Sequence, residues 1–143
     1  MDVLAQLDAV IPALQRLVAG TTPDQLDNRT PCEQWRVRDL FGHLTTGGTT
    51  FAALVRGEDP PSEVPAPPDS ILTATTNAAL ADIDEAFRRP GALERIVATP
   101  FGAMPGDTFA RLLAFDGLMH AWDLAAATGR TVDVPEEVVV EVD

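Results

Sequence analysis

Residues 107–129 read DTFARLLAFDGLMHAWDLAAATG. Ala, Leu and Met dominate, all strong helix formers, and no proline interrupts them. Asp107 is a residue type that caps helix N-termini, and Gly129 is the type that accepts the left-handed conformation past a helix end. The stretch predicts a helix over 108–128. On a wheel of 100° per residue, His120 falls about 40° from Asp116 and Asp123 about 20° on the other side. Phe109, Leu112, Leu113, Met119 and Ala127 share that direction, with Arg111, Ala114, Leu118, Ala121 and Ala125 roughly opposite. The three polar groups are therefore expected on the buried face. A buried carboxylate needs a cation, a hydrogen-bond network or a metal as partner.

Working outward, three further segments carry a helical stripe. Residues 2–19 place Val3, Leu4, Leu7, Val10, Ile11, Leu14, Leu17 and Val18 on one face. Pro12 predicts a bend or a late start there, and Gly20 a stop. A second helix is expected from Val37 to Arg56, ended by Gly57, with Val37, Leu40, Leu44, Phe51, Leu54 and Val55 inward. Gly47 and Gly48 each cost about 1 kcal/mol against alanine inside it, which makes sense where a backbone or a ligand must come close. A third helix is expected over 70–88, carrying Ile71, Leu72, Leu80, Ile83 and Phe87. Between these lie a stiff proline-rich loop at 60–68, PPSEVPAPP, and a short segment of β character at 93–99. PFGAMPGD reads as a turn-rich loop, and the tail from Pro135 as a fifth helix or a strand. The class is all-α: a four-helix bundle with a long crossing connection, as one domain over 1–143.

Composition narrows the function. The 143 residues carry 10 Lys+Arg against 22 Asp+Glu, a formal net charge of −12. Such a surface repels polyanions, which argues against nucleic acid and against an anionic membrane. No apolar run approaches a membrane span, and the N-terminus has no secretory pattern, so a cytoplasmic location is expected. The single cysteine, Cys32, excludes an internal disulfide and reads as a small buried hydrophobe. Trp35 and Trp122 read as core anchors.

The chain has two histidines. Asp116 and His120, at i and i+4, aim at one spot, and His43 sits at the edge of the second helix's stripe. Two imidazoles and one carboxylate from facing helices suit Zn²⁺, with Ni²⁺ or Fe²⁺ as alternatives, and leave a position open. Asp123 is one turn from His120, placed to accept a ring N–H. The plainer alternative is an internal Asp–His hydrogen-bond network with no ion. The threonines at 45–46 and 49–50 line a pocket or simply cover helix surface.

TPCEQWRVRDLFGHL (30–44) together with FDGLMHAWDLAAATG (115–129) resembles the DinB-like, mycothiol-dependent maleylpyruvate isomerase N-terminal domain superfamily, in its actinobacterial single-domain, metal-binding branch. The loop TPFGAMPGDTFA fits the same branch. The resemblance runs from the first helix through Gly129. It implies an up-down-down-up four-helix bundle and a divalent metal, with His43, Asp116 and His120 in the ligand positions. Many isomerases have Glu where this chain has Asp116, one methylene shorter. The isomerases proper carry a further C-terminal region that helps bind substrate, and the chain ends at Asp143, so maleylpyruvate itself is not the expected substrate.

Two functions follow from the resemblance. One is a thiol-dependent transferase or isomerase, with mycothiol as co-substrate and a small electrophile as substrate. The alternative is a non-catalytic metal- or small-ligand-binding bundle. A homodimer is a family-level expectation.

Overall fold

The computed structural model describes residues 2–142. α1 spans Val3–Ala19, α2 Val37–Arg56, α3 Leu72–Phe87, α4 Gly106–Thr128 and α5 Glu136–Val142; β1 (Ile96–Thr99) and β2 (Gly102–Pro105) separate α3 from α4. Short 3₁₀ turns at Pro23–Gln25 and Asp69–Ile71 precede α2 and α3. The mostly helical architecture is the one the stripes predict. No helix is long and apolar enough to cross a membrane among the described residues.

The helices begin and end where local chemistry dictates. Asp2 caps α1, its carboxylate accepting from the Ala5 N–H at 2.8 Å. α1 runs through Pro12 without a break or a late start. The Arg36 N–H donates to Asp39 at 2.9 Å at the head of α2, and Gly57 closes that helix at φ 75°. Gly129 ends α4 at φ 67°. Gly20 also ends its helix, but at φ −83°, so its lack of a side chain has another cause. The Arg130 guanidinium occupies the space a Cβ would need there, donating to Thr21 Oγ1 and the Leu17 carbonyl.

Four expectations are corrected. The loop at 100–107 holds a strand: β2 pairs antiparallel with β1, Val97 opposite Met104. α4 starts earlier than Asp107, because the hairpin backbone does the capping. The Gly106 and Asp107 N–H groups donate to the Arg95 and Leu93 carbonyls at 2.8 and 2.9 Å. Gly106 is required there, since a Cβ would run into the Ala92 carbonyl. Ile71 lies in the 3₁₀ turn before α3 and is half exposed, not part of the buried stripe. The tail forms α5, whose Val138 is buried against Val10 and Leu118 with Trp122 alongside.

The fourth correction concerns α4. Its buried face is Phe109, Ala110, Ala114, Leu118, Ala121, Leu124 and Ala125, largely the face the wheel put outward. α4 packs chiefly on α1, and α2 on α3. Small alanines let α1 approach closely, which favours that face over the bulkier one. Leu112, Phe115 and Met119 are left exposed.

α2 meets α3 at Gly48, where an added Cβ would sit 2.8 Å from the Ala79 carbonyl oxygen and 3.0 Å from its Cβ. Beside this crossing Thr45 bonds Thr76 at 3.0 Å and the Phe41 carbonyl at 2.8 Å, both hydroxyls buried. Thr45 therefore serves the helix interface, while Thr46 is exposed.

Helix propensity alone predicts that Gly48→Ala stabilises by about 1 kcal/mol. The backbone contact predicts the opposite, a loss of about 1–3 kcal/mol from overpacking. Gly42→Ala on the same helix has nothing within 4 Å of the new Cβ and is expected to stabilise by up to about 1 kcal/mol. Urea unfolding of the two variants tests this, and a stabilised Gly48→Ala would contradict the close crossing.

Candidate metal centre

The segment before α2 is folded back on that helix. Val37 and Arg38 donate through their backbones to Asn28 and Leu26 at 3.0 and 2.9 Å, and Thr30 bonds the Trp35 carbonyl through both its N–H (3.2 Å) and its hydroxyl (2.8 Å). The Arg38 side chain ties Asp27 to Asp69, each at 2.8 Å, and the Arg38 guanidinium beside it holds the Asp27 carboxyl below its usual range. The Asn28 side chain donates to the Ala127 carbonyl at the end of α4 (3.0 Å). These bonds fix Trp35, whose ring centroid lies 4.6 Å from that of His43 and 6.1 Å from that of His120. Trp35 is half-buried, and its ring covers both imidazoles. Nothing in its sequence context points to that contact, because the partners lie on other elements.

α2 presents His43 and α4 presents Asp116 and His120. One donor atom from each of the three lies within 4.8 Å of the other two, and the imidazole centroids are 5.0 Å apart. The three residues singled out by type and spacing are brought together. Their burial differs from the expectation: the Asp116 side chain is 52% exposed, His43 is exposed, and His120 alone is buried, at 8%. Asp116 sits at the mouth because its face of α4 is not the one packed on α1.

His120 is the anomaly. Both its ring nitrogens are buried without a hydrogen-bond partner among the described residues. Asp116 Oδ2 lies 3.1 Å from His120 Nε2, but the N–H direction required for a hydrogen bond is missing, so the short distance does not satisfy the ring. Buried polar groups are nearly always paired, and leaving one unpaired costs about 1–3 kcal/mol. The expected bond from Asp123 is not formed: Asp123 is half-buried and does not reach either ring nitrogen. Two imidazoles and a carboxylate converging on one point, with an imidazole that no described residue satisfies, fit the ligand chemistry of a divalent transition ion.

Electrostatics favour the same use of His43. Burial pushes its pKa down, His120 pushes it further down, and Asp116 opposes them. The imidazole is therefore neutral at pH 7, the form that binds metals.

Two cavities meet at His43. An open cleft of about 600 Å³ is lined by Trp35, Arg38, Asp39, Gly42 and His43, with Ala66 and Pro67 of the proline-rich loop as its far wall. A smaller apolar cavity of about 60 Å³ lies among α1, α2, α3 and α4, with His43 and Asp116 in its lining. Cys32, in contrast to its expected burial, is exposed and lines neither cavity. Trp122 packs with α5 away from the site.

The profile of the family described as the mycothiol maleylpyruvate isomerase N-terminal domain matches residues 7–125. An uncharacterised protein of Mycobacterium tuberculosis, recorded in strains CDC 1551 and H37Rv, is 39% identical over 141 residues, covering 99% of this chain and 75% of its own. Crystal structures of the mycothiol-dependent maleylpyruvate isomerase, unmodified and with one histidine changed to alanine, superimpose with a TM-score of 0.77 at 18% identity. The alignment covers 98% of this chain and 65% of theirs; at that identity the likeness is one of fold, the DinB-like helical fold.

The depressed pKa of His43 sets the sign of a pH effect on the metal-free protein. The unfolded chain binds the proton more readily than the folded one, so stability is full above the unfolded value of 6.5 and falls as pH drops through it towards the lower folded value. Metal-free wild type is expected to lose stability in that window relative to His43→Gln. Chemical denaturation across pH 7 to 5 measures it, and parallel curves for the two proteins would contradict the shift.

Proposed function

The chain belongs to the mycothiol maleylpyruvate isomerase N-terminal domain family, and on that premise we propose that it is a metal- and thiol-dependent transferase or isomerase acting on a small electrophile. His43, Asp116 and His120 hold one divalent cation, zinc in first place, with nickel or iron as alternatives. The observation that carries this reading is the buried His120 imidazole, both nitrogens unpaired, with donor atoms of His43 and Asp116 converging beside it. A cation bound there would acidify a low-molecular-weight thiol, mycothiol in the family's case, so that it attacks as the thiolate.

The rest of the site supports that chemistry through the chain's own groups. His43 is held neutral and ready to coordinate. The Trp35 ring lies against both imidazoles and restricts their rotation, so less ordering remains to be done on binding. Asp116, exposed at the mouth, adds negative charge that offsets a dication. The cleft beside Trp35 and Arg38 gives a polar thiol a route to His43. The apolar side chains on the inner side keep water away from a thiolate.

Elemental analysis of purified, metal-reconstituted protein is expected to find one divalent ion per chain, lost in His120→Ala while the circular dichroism spectrum is retained. Consumption of an electrophile with mycothiol should fall in that variant by at least about a hundredfold, beyond the effect of losing an outer hydrogen-bond partner to a metal ligand. A wild type that takes up no metal would overturn the centre. A metal-loaded wild type that turns over no thiol and electrophile pair would leave a non-catalytic metal-binding bundle.

A further inference from the structure

The small cavity behind His43 has a composition that the thiol chemistry does not explain. Its walls include Leu7 and Ile11 of α1, Leu44 and Phe51 of α2, and Ile83 and Phe87 of α3. Among the described residues, His43 and Asp116 are its only ionisable lining groups. Beyond those two residues, a carboxylate would meet apolar side chains and no cationic residue to pair with. The arginines of α2 are already engaged: Arg38 with Asp27 and Asp69, Arg56 with Asp82 and Glu85.

Gly47 supplies an independent observation. The neighbouring Gly48 is forced to be glycine by the α3 backbone, but Gly47 is not. A Cβ on Gly47 would touch only the edge of the Phe51 ring, at 3.7 Å, and its φ is not in the left-handed region. Packing gives no reason to accept a helix-weakening glycine at this position, one that lines the cavity beside His43. At about 60 Å³ the cavity is smaller than the roughly 150 Å³ that admits benzene, so it takes about two to four carbon atoms.

We propose that the apolar cavity walled by Gly47, Leu44, Phe51 and Ile83 is a binding site for a short hydrocarbon group, which makes the substrate class an aliphatic electrophile rather than a dicarboxylate. The proposal rests on the reading of the site given above for its electrophile, and on the cavity alone for its hydrocarbon specificity. Each methylene that enters is expected to tighten binding about fourfold until the space is full.

Binding is tested without turnover by titrating the zinc-loaded protein with n-alkyl alcohols from ethanol to hexanol, reading the methyl NMR resonances of Leu7, Leu44 and Ile83. Affinity should climb about fourfold per methylene over the first members and then level off. Gly47→Val should weaken binding at least tenfold, and Gly47→Ala less, with unchanged folding; either variant suffices if the other does not fold. No saturable shift, or equal affinity in the glycine variants, overturns the proposal. In the same preparations with mycothiol, kcat/KM should rise along the 2-alkenals from propenal to hexenal, and preference for a maleyl-type dicarboxylate would overturn it. If no electrophile reacts, the functional reading fails, while the alcohol titration still decides the cavity.

Discussion

The contact of Gly48 with the backbone of Ala79 is the constraint on which this architecture turns. It brings α2 and α3 closer than any side chain would allow and seals the interface with the Thr45–Thr76 hydrogen bond. With α2 held at that distance, its neighbouring positions acquire their uses. His43, more than one turn earlier, faces α4, and Gly47, one residue earlier, leaves a gap that four helices wall. The site is thus the part of the α2 surface that tight packing against α3 does not fill.

A second constraint acts on the other side. The segment 26–38 is held by backbone hydrogen bonds and by Arg38, and its purpose in the structure is to place one aromatic ring. Trp35 lies against His43 and His120 at once, linking the entrance of α2 to the middle of α4. Burying His120 while leaving both its nitrogens unpaired is unfavourable for a protein that does nothing with them. That cost is understandable at a binding centre, where local stability is commonly given up for a poised group.

Much of the fold is legible along the chain because the relevant signals are local. α2 begins at Val37 and ends at Arg56 where its stripe and Gly57 put it, and Gly129 closes α4 as its residue type indicates. The α4 face and the second strand of the hairpin were not legible, although the β character of 93–99 marks where β1 forms. Four-residue strands have no periodicity to read, and their pairing depends on the turn at Thr99–Gly102, where the Thr99 hydroxyl bonds the Gly102 carbonyl at 2.7 Å. The wheel of α4 weighed hydrophobic bulk, whereas α1 selects for smallness: Ala114 and Ala121 are fully buried while Leu112, Phe115 and Met119 are not.

By itself, then, the sequence determined the helical class and most helix ends, and it singled out three polar residues that the fold brings together, since these signals lie in residue type and spacing. The tertiary structure alone decided how those donors are exposed, that Trp35 covers them and that a cavity opens beside Gly47. Each of these depends on the distance between two helices, and that distance is set by the side chains missing at their crossing, a property of the pair that neither helix carries in its own stripe.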